Sequence, residues 1–222
     1  MSVLRAAVLA MSVLTFASTI AAPPNGIPPA ALAGDAQVGR DKADDSRCLE
    51  CHGASGAGQG YSNGSEGRFA RLAGQYPDYI VKQVLDFRSG RRKHEFMAMM
   101  ANSISDADLA DIAAYFAAEP AMTAGAHVAG EGEGAGEARQ LYLHGDPARQ
   151  VIACASCHGA DGRGLAGAVP VIGGQGLRYL AQQLEGWRSG ARNNSAGGAM
   201  NLQASPLSDE EIEALAHYIS AM

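Results

Sequence analysis

All four cysteines of this chain fall in two copies of one motif, Cys48-Leu49-Glu50-Cys51-His52 and Cys154-Ala155-Ser156-Cys157-His158. Two thiols at this spacing can add to the two vinyl groups of a porphyrin as thioethers. The histidine that follows then lies under the ring, where a nitrogen can bind the iron. The motifs therefore predict two covalent haem c groups, held through Cys48, Cys51, Cys154 and Cys157, with His52 and His158 as axial ligands. A redox dithiol or half of a zinc site also uses Cys-x-x-Cys, but neither needs a histidine directly after the second cysteine. One zinc ion shared by all four thiolates would leave both histidines unexplained. No cysteine remains for a disulfide or for a thiolate-ligated catalytic haem.

The elements that must position these groups are written twice. Cys48 and Cys154 are 106 positions apart. Leu72-Ala73-Gly74-Gln75 meets Ile172-Gly173-Gly174-Gln175 at an offset of 100, which continues through Tyr79/Tyr179, Gln83/Gln183, Phe87/Trp187 and Arg88-Ser89-Gly90/Arg188-Ser189-Gly190. Met97 then meets Met200 at 103, as do Ile104-Ser105-Asp106 and Leu207-Ser208-Asp209, and Tyr115 and Tyr218. Apolar residues at helical spacing predict helices over 78–89 and 178–189, ended by Gly90 and Gly190, with Pro77 at the start of the first. Ser105 and Ser208 are read as N-caps of the last helix of each half, with Glu211 completing a capping box. No segment alternates like a strand. The expected architecture is all-α: two tandem helical domains at 34–120 and 137–222, joined by a Gly/Ala-rich linker at 121–136.

Composition bounds the rest. At 47% hydrophobic content a packed core is feasible, although the chain has only one Trp, seven Tyr and five Phe. Two haems would supply apolar bulk that such small domains lack. The net charge of −6 argues against nucleic acid as a partner. Arg5 followed by the uncharged run Ala6–Ala22 reads as an export signal within residues 1–33, cleaved after position 21 or 33. An uncleaved anchor is the rival, disfavoured because the run is short and rich in Ala, Ser and Thr.

The two Cys-x-x-Cys-His motifs, the Leu-Ala-Gly-Gln-type turn, the Arg-Ser-Gly helix end and a methionine seven residues before Ile/Leu-Ser-Asp together resemble the dihaem class I cytochromes c of the cytochrome c4 family. The resemblance spans everything after about residue 34. It implies two tandem class I cytochrome c domains facing each other and His/Met-ligated haems. It also implies periplasmic electron transfer between redox protein partners, often toward a terminal oxidase, with no catalytic residues and no small-molecule substrate. Within this chain, the repeat selects Met97 and Met200 as sixth ligands. Met99, Met100 and His94 remain competitors of Met97. His127, His144 and His217 read as solvated or locally bonded. Arg88, Arg91, Arg92 and Lys93 read as helix-end cations, with a propionate contact for the aligned Arg92 and Arg192. Pro170 follows His158 by twelve residues, where class I cytochromes offer a carbonyl to the ligand histidine. Its counterpart is Ala70, which lacks proline's rigidity and predicts a less firmly oriented His52. A dedicated cytochrome subunit of a dehydrogenase complex and a dihaem peroxidase-type enzyme are the alternative functions.

Overall fold

The computed structural model describes residues 33–58, 68–122, 134–167 and 169–222. The expected export signal up to residue 32, linker positions 123–133 and His127 lie outside the described residues. The named elements are helices: α1 (Ala36–Asp45), α2 (Cys48–His52), α3 (Pro77–Arg88), α4 (Glu95–Asn102), α5 (Asp106–Ala118), α6 (Ala135–His144), α7 (Ala155–His158), α8 (Leu177–Ser189), α9 (Ala199–Ala204) and α10 (Asp209–Ser220). Single 3₁₀ turns cover Pro147–Arg149 and Ala196–Gly198. Extended pairing among the described residues is confined to two isolated bridges, Asp146 with Val151 and Leu165 with Val169.

The helices start and stop where local chemistry directs. Pro77 opens α3, where its missing N–H has no helical partner to lose. Gly90 and Gly190 follow α3 and α8 with φ of 72° and 76°, a conformation that costs any other residue a steric penalty. Ser105 Oγ accepts from Asp108 N, and Ser208 forms the full capping box with Glu211. The first helix of each half was not signalled by periodicity. α1 is capped by Asp35, whose Oδ1 accepts from Gln37 N and Val38 N. It crosses α5 at Gly39, where an added Cβ would come within 1.9 Å of Asp111 O. That close approach is what the glycine is for.

Each half has its own core. Ile80, Val81, Leu109, Ile112, Ala113 and Phe116 pack together in the first, with Leu180, Trp187, Ile212, Leu215 and Ile219 in the second. Each such Leu or Ile contributes about 1.5–3 kcal/mol when fully buried. Side chains of α3 and α8 are bridged by Arg92 and Arg192 along a polar seam between the halves. Arg92 Nη1 donates to Gln83 Oε1 (2.8 Å) on its own side, and Nη2 donates across to the Tyr179 hydroxyl (2.9 Å) and Gln183 Oε1 (2.8 Å). Arg192 mirrors this toward Gln183 (2.8 Å), the Tyr79 hydroxyl (3.1 Å) and Gln83 (3.1 Å). The two halves are therefore related by an approximate twofold in their contacts as well as in their sequence.

Candidate redox centres

α2 carries the first Cys-x-x-Cys-His motif, Cys154 and α7 carry the second, and each is followed by a glycine-containing loop that begins alike in both halves. Gly53, Gly56 and Gly58 match Gly159, Gly162 and Gly164, all at positive φ. The described residues at the two ends of each loop share their backbone bonds. Gly58 N donates to His52 O as Gly164 N does to His158 O, and Leu72 N donates to Gly56 O as Ile172 N does to Gly162 O. A tyrosine hydroxyl ties each loop to a helix, but from different helices: Tyr115 of α5 donates to Ala54 O, and Tyr142 of α6 donates to Gly159 O.

These loops bring a carbonyl to each histidine. His52 Nδ1 lies 2.8 Å from Ala70 O, and His158 Nδ1 lies 3.2 Å from Pro170 O. A carbonyl can only accept, so Nδ1 carries the proton and Nε2 keeps a free lone pair. Burial pushes both imidazoles below their ordinary pKa, which keeps them neutral and able to ligate at pH 7. Burial also pushes the Cys48 and Cys154 thiols up to about 11. Ala70 O reaches the His52 ring as Pro170 O reaches that of His158, so the carbonyl is supplied without proline at position 70.

In the first half His52 and Cys48 open on an apolar cleft lined by Leu72, Ile80, Val84, Met97, Met100, Ile104, Leu109, Ile112 and Phe116. Each of these apart from Met100 has an apolar counterpart in the second core, among them Ile172, Leu180, Leu184, Met200 and Leu207. An apolar slot with an unprotonated imidazole nitrogen, a thiol and a thioether fits a covalently attached haem and supplies nothing for an aqueous metal ion. Among the described residues no group of three or more His, Cys, Asp and Glu side chains could hold a metal ion, so the four cysteines do not converge on a zinc site. Met99 is 58% exposed and faces away from the cleft. His94 caps α4 with Nδ1 accepting from Met97 N (3.2 Å), so that nitrogen is committed. Met97 and Met100, one turn apart, both line the cleft. Met100 corresponds to Gln203, whose Oε1 accepts from Ile152 N.

Two readings of the basic cluster change. Arg88, in the last turn of α3, also reaches beyond its own helix. It donates to Ala101 O (2.6 Å) and Ile104 O (2.6 Å) and pairs with Asp106, tying α3 to the turn between α4 and α5. Arg188 repeats this with Leu207 O and Asp209. Arg92 lies in the seam, its guanidinium 4.7 Å above the Phe87 ring, as Arg192 lies 4.1 Å above Trp187. Arg91 pairs with the buried Asp86. The repeat pairs Gln75 with Gln175, Gln83 with Gln183 and Tyr79 with Tyr179, but it does not show that each of them bonds a residue of the opposite half. The available signal was a tyrosine and a glutamine repeated at matching places on α3 and α8, with a further glutamine repeated just before each helix. His144 and His217 are exposed.

Comparison with known proteins gives a concordant result. The Cytochrome c family profile matches twice, over residues 36–118 and 137–222. Cytochrome c4 from Thiocapsa roseopersicina is 40% identical over 191 residues, 85% of this chain and 93% of that protein. The thiosulfate dehydrogenase electron acceptor of Stutzerimonas stutzeri (strain A1501) is 37% identical over 176 residues, 78% of this chain and 77% of that protein. The crystal structure of reduced recombinant cytochrome c4 from Pseudomonas stutzeri superposes with a TM-score of 0.72 at 34% identity, covering 86% of this chain and all (100%) of that one. Thiosulfate dehydrogenase TsdBA from Marichromatium purpuratum superposes with a TM-score of 0.70 at 32% identity, covering 83% of this chain and 39% of that one. Since the same profile matches both repeats, and relatives of this kind share nearly their whole length with it, the chain belongs to the cytochrome c4 family: an electron-transfer protein of two class I cytochrome c domains that carries two covalently bound haem c groups.

Proposed function

We propose that this protein is a periplasmic shuttle whose two haems are bound by thioethers at Cys48 and Cys51 and at Cys154 and Cys157, with His52 and Met97 as axial ligands in the first half and His158 and Met200 in the second. The observation that carries this reading is the repeated arrangement of motif, glycine loop, carbonyl-oriented histidine and facing methionine. Met97 is favoured over Met100 because the helix carrying it ends alike in both halves. Ala101 and Ala204 are both fully buried at the same offset as Met97 and Met200. Gln203 stands where Met100 would need a counterpart. The domains extend over 34–120 and 137–222.

When bound, the haem iron supplies a one-electron couple, and a thioether opposite imidazole favours its ferrous form. The chain's own residues do the remaining work. The apolar slot excludes water, and Ala70 O and Pro170 O hold the imidazoles in one tautomer. In the seam Arg92 and Arg192 donate to the neutral side-chain oxygens of Gln83, Gln183, Tyr79, Tyr179 and Asn194. They are placed to neutralise haem propionates there. Were histidine and methionine both to hold the iron in each half, a small substrate would find no open site there, which separates this reading from a peroxidase.

The electron acceptor or donor divides two versions of the function. One is transfer toward a terminal oxidase. The other is service to a single dehydrogenase, favoured by the likeness to thiosulfate dehydrogenase electron acceptors. Oxidised protein is mixed with purified thiosulfate dehydrogenase and thiosulfate, and reduced protein with oxidase-containing membranes, and the visible haem bands are followed. Rapid reoxidation by membranes supports the shuttle. Reduction by the dehydrogenase together with stoichiometric copurification supports the dedicated acceptor. Carbon monoxide binding to the reduced wild-type protein would overturn both by revealing an open iron site.

A further inference from the structure

The segments that orient the two histidines are each held by the opposite half. Arg71 follows Ala70, the residue whose carbonyl accepts from His52. Its backbone N–H donates to Gln175 Oε1 (2.7 Å), and its carbonyl accepts from Gln175 Nε2 (3.0 Å). Val171 follows Pro170, the acceptor for His158. Its backbone N–H donates to Gln75 Oε1 (3.0 Å), and its carbonyl accepts from Gln75 Nε2 (2.8 Å). Each glutamine amide thus pairs with both polar backbone groups of one residue, as a neighbouring strand would. Both side chains are buried, Gln75 at 4% and Gln175 at 5% exposure, so neither bond competes with bulk water. Each Oε1 also accepts from the next backbone N–H of its own chain segment, Tyr76 N at 3.0 Å and Gly176 N at 2.9 Å. This fixes the amide's orientation at the entrance of α3 and of α8.

We propose that Gln75 and Gln175 are positioning residues acting in trans: each one, from the end of its own haem loop, fixes the carbonyl that orients the axial histidine of the other half. The proposal rests on His52 and His158 being the iron ligands. It explains how Ala70 holds its histidine without proline, since the rigidity comes from across the seam. It also makes the two redox centres conditional on the interface. A histidine–carbonyl bond sets imidazole basicity and hence the electron affinity of the iron it binds. Any loosening of the seam therefore reaches both centres through these two amides, and by linkage a change at either centre reaches the seam.

The test uses the holoprotein and looks for a crossed effect. Gln75→Leu and the milder Gln75→Glu, which keeps the Oε1 acceptor and loses the Nε2 donor, are compared with Gln175→Leu and Gln175→Glu. The readout is hydrogen–deuterium exchange of the two ligand-histidine Nδ1 protons, resolved by NMR through their hyperfine shifts and assigned with Met97→Ala and Met200→Ala. Midpoint potentials are measured in parallel. Loss of one buried hydrogen bond of ordinary strength should speed exchange about tenfold at the histidine of the opposite half. Gln75 variants should act on His158 and Gln175 variants on His52, with the same-half histidine within about twofold of wild type. An effect confined to the same half, an equal effect at both histidines, or none in the folded Glu variants would overturn the proposal. Absence of hyperfine-shifted histidine signals from the wild-type holoprotein would instead overturn the ligand assignment, and the proposal with it.

Discussion

The identity of the first sixth ligand is open to a direct mutational test, because the three methionines of α4 occupy different surroundings. Met97 and Met100 line the cleft, Met99 is 58% exposed, and the matching turn of the second half has Met200 and Gln203. Met99→Ala removes little packing and should change stability by no more than about 0.5 kcal/mol, as for other surface substitutions. Met100 is only half-buried, so Met100→Ala should fall at or below the lower end of the roughly 2–5 kcal/mol range for a buried methionine. Neither variant should alter the near-infrared band of ferric Met-ligated haem. Met97→Ala should remove about half of that band, and Met200→Ala the other half. Each of these two variants should also bind carbon monoxide at one haem per chain and lower the potential at that haem, since the thioether's preference for ferrous iron is lost. The assays are near-infrared absorbance of the oxidised protein, carbon monoxide difference spectra and urea unfolding. A band halved by Met100→Ala would place the ligand one turn further along α4 and break the correspondence between the halves. Were His94 the ligand, the wild-type band would come from the second haem alone, Met97→Ala would leave it unchanged, and His94→Ala would open the first iron to carbon monoxide.

Three further outcomes are expected. Replacing Cys154 and Cys157 with Ala should leave one haem per chain by mass and unfold the second half preferentially, because each small core packs around its cofactor; full native helicity by circular dichroism in that variant would contradict this. Ser208→Ala removes the acceptor for Glu211 N and breaks the capping box, costing about 1 kcal/mol in chemical denaturation, whereas a loss below about 0.3 kcal/mol would show the cap to be redundant. Burial alone would raise the Asp86 carboxyl, but hydrogen bonds from Lys82, Asn194 and Arg91 outweigh it and hold its pKa below the ordinary 3.8. Its stabilisation is therefore present above the unfolded carboxylate pKa and lost as pH falls through the lower folded value, so Asp86→Asn should be less stable than wild type at pH 7 with the gap closing below about pH 4; a gap independent of pH between 7 and 3 would show that the charge is not what matters.

What the sequence determined by itself was the chemistry and its duplication. Cys-x-x-Cys-His is a local constraint: both thiols and the imidazole must reach one porphyrin from one helical turn, so their spacing is readable without a fold. Helix ends were legible for the same reason, since Pro77, Ser105, Ser208, Gly90 and Gly190 act on their own backbone. The offsets of 106, 100 and 103 made Met200, and through it Met97, stand out among otherwise ordinary core residues. Tertiary structure alone decided which polar side chains meet. Arg88, in the last turn of its own helix, also reaches Ala101 O, because α4 packs across the end of α3. The cross-seam partners of Gln75, Gln175, Arg92 and Arg192 lie roughly a hundred residues away in the other half, so no local signature announces them. A buried amide or guanidinium must be hydrogen-bonded somewhere, but which backbone satisfies it depends on how two folded halves are docked. α1 and α6 escaped the sequence reading in a similar way. Close crossings such as Gly39 against Asp111 O fix α1 on α5, and that contact exists only once both helices are in place.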